Sequence, residues 1–407
     1  MILKDHIIRI LAVFSFFLMS VTATGQQDID VLLKAKACLQ SGKPEEAVAI
    51  LSKVIDERGG TRFYTERGEA YLFENNLAGA ISDFNQANRL SEHSGDYGLA
   101  KVYALKGDAS TSMYHLGLHL SSAFKKSEKE IMLEPAFRSV ENRPEWRQLW
   151  KKQWYSIAET SVSQIEYLSA QGKIRESEIM LSELRINYPG SDETLYAEAL
   201  ISIASGRNAD AVSTLNRLIS SNPDNEKYMR VLAKAHTGNL NPAGASSVYS
   251  KLLESGVADA RLLILRAECY RKTRETAKAF LDIERYLVLY PESKEALSMA
   301  GKVAAESGDN LKALEYFSKN LSLHPNDPDC YIDRASSYFV SRSCELAVND
   351  YSMSLDLNPV NSDAWLNKGI ALLGNGKIND ACYDFKRSYS LGNQRASSYI
   401  SKHCLNR

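Results

Sequence analysis

The stretch "DAWLNKGIALLGNGKINDACYDFKRSYSL", Asp363 to Leu391, decides the fold. Within it the small Ala381 precedes the aromatic Phe385 by four residues, so the two share one face of a helix and present a notch and a knob to a neighbour. Gly376 stands five residues before Ala381 and separates two helical patterns. The arrangement recurs upstream: Ser177, Ala211, Ala245, Ala279, Ala313, Ala347 and Ala381 are each thirty-four residues apart. Pro189, Pro223, Pro291, Pro325 and Pro359 keep the same step, with Val257 in the one gap. Leu181, Leu215, Tyr249, Ile283, Phe317, Tyr351 and Phe385 follow the small residues by four. Two landmarks with one period identify a repeat of helix hairpins, none of which can bury its apolar face without a neighbour.

This pattern resembles the tetratricopeptide repeat, which has a small residue at position 8, an aromatic at 11, Gly at 15, Ala at 20, an aromatic at 24 and Pro at 32. In the stretch quoted, Trp365 falls at position 4, Gly369 at 8, Gly376 at 15, Ala381 at 20 and Phe385 at 24. Seven such units run over 158–391, and the first two of about three more, in 26–125, carry Gly42, Ala47 and Leu51, then Gly68, Tyr71, Ala80 and Phe84. A third begins with Ala100, Tyr103 and Gly107 but has Ser112 where alanine is expected. The resemblance implies an all-α, right-handed superhelical solenoid of about ten hairpins, with residues 392–407 as a capping helix.

The period breaks in 126–157. Trp146, Trp150 and Trp154 step by four there, and Pro144 stands where helices commonly start. A long helix is expected, its indoles either plugging a seam of the core or forming an exposed docking patch. At the other end, residues 1–25 have the layout of a secretory signal peptide: Lys4 and Arg9, an apolar run from Ile10 to Val21, then small and polar residues. That run would rise only about 18 Å as a helix against a bilayer core of about 30 Å, which disfavours a retained anchor. The expected location is therefore outside the cytoplasm: secreted, periplasmic, or peripheral to an outer membrane, with no transmembrane segment in the mature chain.

A net charge of -1 over 407 residues gives no basic footprint for nucleic acid. No phosphate loop, zinc spacing or nucleophile motif is present, and His115 with His119, four apart, lack the glutamate of a metalloprotease helix. The reading is of a non-catalytic chain without metal or cofactor that binds another protein or a peptide. A glycan or other small-molecule ligand in the same groove is the alternative.

The resemblance implies that first-helix positions 2, 5 and 9 line the binding groove. Among them are Tyr196; Lys227, Arg230 and Lys234; Arg261 and Glu268; Glu295 and Lys302; Asp329; and Asp363. Cys382 on the last second helix is placed to meet Cys404 on the cap, as a disulfide or as two reduced thiols. Finally, Arg67 at position 7 accompanies Asp83 at position 23. The same pairing returns as Arg266 with Asp282, Arg334 with Asp350 and Lys368 with Asp384. Units with Gln164, Glu198, Leu232 or Ala300 at position 7 have Met180, Thr214, Val248 or Tyr316 at 23, and only Lys34 opposite Ile50 breaks the rule. Antiparallel helices turning near position 15 bring these positions level, so acid and base are expected to meet across the hairpin.

Overall fold

The computed structural model describes residues 27–404, so the signal-peptide reading of residues 1–25 lies outside the described residues. The described residues are helical, with no strand among them, and they pair into ten hairpins. The chain divides after Asp259 into two compact units.

The first unit begins with α1 (27–40) and α2 (Pro44–Arg58), α3 (Thr61–Phe73) and α4 (Leu77–Leu90), then α5 (Asp96–Leu105) and α6 (Ala109–Leu120). After an irregular connector come α9 (Ile157–Ala170) with α10 (Ile174–Asn187), α11 (Asp192–Ala204) with α12 (Asn208–Ser221), and α13 (Glu226–Gly238) with α14 (Pro242–Glu254). The second unit contains α15 (Arg261–Lys272) with α16 (Thr276–Leu289), α17 (Lys294–Glu306) with α18 (Asn310–Leu323), α19 (Pro328–Val340) with α20 (Cys344–Leu357), and α21 (Ser362–Gly374) with α22 (Ile378–Ser390). It ends in the cap α23 (Ala396–His403).

The landmarks act as their spacing predicts. Every alanine at position 20 named above is fully buried, and Ser112, the apparent misfit, is buried too because its Oγ donates to the Ala100 carbonyl at 2.8 Å. Where position 8 is glycine, position 24 is phenylalanine. A Cβ on Gly68, Gly301 or Gly369 would stand 2.6, 2.3 or 2.5 Å from the ring of Phe84, Phe317 or Phe385. Position 15 is left-handed in every hairpin. It is filled by Gly376 (φ 72°) and five other glycines, but also by Asn75 (57°), Leu240 (51°), Arg274 (62°) and Arg342 (60°).

The connector corrects one expectation. Instead of one long helix it forms α7 (Glu128–Met132), a 3-10 turn (Pro135–Ser139) and α8 (Pro144–Leu149). The Trp154 indole N–H donates to the Leu149 carbonyl at 3.0 Å, satisfying the end of α8 and turning the chain. Tyr155 donates its hydroxyl to the Lys126 carbonyl at 2.6 Å. Trp146 is buried against Phe137, and Trp150 and Trp154 pack half-buried on the same core with Met113 and Leu116. The indoles fill a seam.

Candidate functional site

All four position 7 and 23 pairs meet. Arg67, Arg266 and Arg334 each donate through Nε and Nη2 to the two oxygens of Asp83, Asp282 and Asp350 at 2.7–2.8 Å. These aspartates are buried, and a two-pronged guanidinium is the donor that answers both of their oxygens. Lys368 offers a point charge instead. Its Nζ lies 3.4 Å from Asp384 Oδ2, an ion-pair distance without hydrogen-bond geometry, so that buried oxygen has no hydrogen-bond partner. Burial, only partly opposed by Lys368, pushes the Asp384 carboxyl up to about 6. These charges hold hairpin register and leave the first-helix face as the place to look for binding.

In the first unit that face is partly closed. Tyr196, expected to line an open groove, is 2% exposed: Tyr228 packs on its ring at 5.3 Å between centroids, and Lys227 Nζ sits 4.5 Å above it. The correction has a simple cause, since side chains of the following first helix, α13, cover it. Lys227 also faces Glu166 at 3.4 Å, and Arg230 is held by Glu226 at 2.7 Å and Asp259 at 3.0 Å, while Lys234 is exposed. Arg261 is exposed at the start of the second unit.

The second unit brings its expected residues together. First helix α17 packs against both α15 and α19, and Glu268, Glu295, Lys302 and Asp329 from these three helices line one cavity of about 490 Å³. Asp363 is not among them; it is exposed and accepts from Asn393 Nδ2 at 2.8 Å. Inside the cavity the cations are already engaged. Arg271 donates to Glu268 at 2.8 and 2.9 Å and reaches Glu306; Lys294 lies 2.5 Å from Asp327; Lys302 lies 3.2 Å from Asp333, to which Ser298 also donates. The Arg271 hydrogen bond, against the opposing effect of burial, holds the Glu268 carboxyl below the usual carboxylate range. Met299 and Ile332 provide apolar wall, and burial pushes the Cys330 thiol up to about 11, which leaves it protonated and unreactive.

Sequence spacing missed Arg271, Asp333 and Asn320. Asp333 was within reach of it, because position 6 adjoins the face positions. Asn320 carried no signal: it belongs to second helix α18, yet its Nδ2 donates to the Lys294 carbonyl at 3.1 Å and the residue borders the cavity. Cys382 and Cys404 are joined in a disulfide that ties α23 over the last hairpin, where Tyr399 stacks on Phe385 at 5.0 Å. Among the described residues no group of three His, Cys, Asp or Glu side chains could hold a metal ion, and no helix is long and apolar enough to cross a membrane.

Residues 332–396 match the tetratricopeptide repeat family. The chain is 26% identical over 110 residues to human "Tetratricopeptide repeat protein 13", covering 27% of this chain and 13% of that one. Over 79 residues it is 33% identical to the UDP-N-acetylglucosamine–peptide N-acetylglucosaminyltransferase of Giardia intestinalis, covering 19% of this chain and 5% of that enzyme. The chain thus spans only a small fraction of the length of these relatives. Among solved structures, a tetratricopeptide repeat protein from Parabacteroides merdae superposes with a TM-score of 0.49 at 19% identity, covering 60% of this chain and 97% of that one.

Proposed function

Because the chain carries tetratricopeptide repeats, we propose that it is a non-catalytic scaffold that binds a partner protein or peptide on the first-helix face of its second unit. One observation carries the reading: side chains of three successive first helices, α15, α17 and α19, converge on a single cavity. An extended segment crossing such a face meets equivalent positions of successive repeats in turn, which suits charge-assisted contacts spread along its length. Tyr196 of the first unit is covered and Lys227 and Arg230 have acidic partners there, whereas Glu268, Glu295, Lys302 and Asp329 are gathered at one cavity, so the emphasis moves to them.

The test is site-specific photo-crosslinking in the native compartment. A crosslinking residue in place of Ser336, exposed on α19, should trap a partner, while one in place of Val288, exposed on α16, should not. Adducts from Val288 alone would move the site to the second-helix side and defeat the reading.

We further propose export through a signal peptide in residues 1–25, and a role in envelope assembly or secretion with peripheral attachment to the envelope. The N-terminal charge and hydropathy pattern supports export, and the Cys382–Cys404 disulfide fits an oxidising compartment. Intact-mass measurement of the native protein should show that segment removed; a retained Met1 would exclude cleavage.

A further inference from the structure

The cavity on α15, α17 and α19 has an unbalanced charge ledger. Each of its cations already has a carboxylate: Arg271 has Glu268 and Glu306, Lys294 has Asp327, and Lys302 has Asp333. Glu295 and Asp329 are left over. Both are exposed, neither has an ion-pair partner among the described residues, and Asp329 feels Lys294 only as a nearby charge already bound to Asp327. The surplus at the cavity is therefore negative.

A second observation is independent of charge. Asn320 is 1% exposed and lines the cavity, and while its Nδ2 is committed to the Lys294 carbonyl, its Oδ1 has no hydrogen-bond partner. A buried amide oxygen left unsatisfied costs on the order of 1–3 kcal/mol and calls for a donor. Lysine and arginine side chains are donors without acceptors, and their methylene stems pack on apolar wall such as Met299 and Ile332. Acidic or purely apolar groups answer neither the orphan oxygen nor the spare carboxylates.

We infer that this cavity receives one basic side chain, lysine or arginine, from an extended segment of a partner protein, its cationic head set between Glu295, Asp329 and the Asn320 amide. The assignment rests on the first-helix reading proposed above and names what that face selects.

The experiment measures fluorescence polarisation of labelled peptide pools with the full chain. The pools are random at the flanks and fixed centrally as Arg, Lys, norleucine or Glu. The Arg and Lys pools should bind about tenfold more tightly than the norleucine pool, and the Glu pool more weakly still. The E295Q/D329N pair, both at exposed positions, should bring the Arg and Lys pools down to the level of the norleucine pool; Asn320→Ala should weaken the basic pools selectively. Equal binding of all four pools, still crosslinked from Ser336 and not Val288, would overturn the basic pocket and leave the face reading intact. Binding crosslinked only from Val288, or no binding by any pool, would overturn both. Competition by agmatine as strong as by the Arg pool would replace the partner segment with a free amine and overturn the assignment to a protein side chain.

Discussion

The hairpins α19/α20 and α21/α22 are neighbours with one register and different solutions at three positions. The first has Arg334 over Asp350, Ala335 against Tyr351, and Arg342 at the left-handed turn. The second has Lys368 over Asp384, Gly369 against Phe385, and Gly376 at the turn. The buried aspartate of one is fully answered; that of the other keeps an unsatisfied oxygen and a raised pKa. The difference teaches that repeat register places an acid opposite a base, but the shape of the donor decides whether the pair is satisfied.

The largest test of the contrast is to remove each base. Arg334→Ala removes both guanidinium hydrogen bonds from the buried Asp350 and should cost about 3–5 kcal/mol in urea unfolding at neutral pH. Lys368→Ala should cost clearly less below pH 6, because Asp384 can take a proton instead. Equal losses at pH 5 would break the comparison.

Next comes the staple that only the second hairpin has. Reducing Cys382–Cys404 should remove about 3 kcal/mol from the last hairpin and its cap, seen as faster hydrogen exchange in α22 and α23 while α19 and α20 hold.

The pH dependence follows from the sign of the Asp384 shift. Its folded pKa of about 6 lies above the unfolded value of about 3.9, so the folded state binds the extra proton. This group's stabilising contribution is full below pH 4 and is lost as pH rises through about 6, a change on the order of 2–3 kcal/mol. Lys368→Arg, which installs the donor of the neighbouring hairpin, should lower the Asp384 pKa and flatten that part of the stability profile. NMR titration of the Asp384 carboxyl in both proteins checks it, and an unchanged pKa in the arginine variant would show that donor shape is not the cause.

The smallest effects concern the backbone and the seat of the aromatic ring. Gly369→Ala puts a Cβ about 2.5 Å from Phe385 and should cost about 1–3 kcal/mol, largely recovered by adding Phe385→Leu. Arg342→Gly, which copies Gly376 at φ 60°, should gain up to about 1 kcal/mol by thermal unfolding.

Much of this was readable because a repeat chain contains its own comparisons. Position 7 and position 23 vary together among units, and so the pairs Arg67–Asp83 to Lys368–Asp384 could be placed before any coordinates. The tryptophan stripe had no second copy to calibrate it. Its step of four suggested a long helix, whereas Trp154 spends its indole N–H on the end of α8. Tyr196 was misplaced for a related reason: a first-helix position faces outward only until the next repeat's side chains lie over it.

By itself, then, the sequence determined the hairpin, its length, its register and the charge pairs that lock it, because these depend on local helical geometry repeated every thirty-four residues. Tertiary structure alone decided which charges cancel and which remain. The pairings of Arg271 with Glu306, Lys294 with Asp327 and Lys302 with Asp333 cross from one repeat to the next, and the surplus of Glu295 and Asp329 is what they leave over. A one-dimensional period orders such contacts but does not pair their atoms.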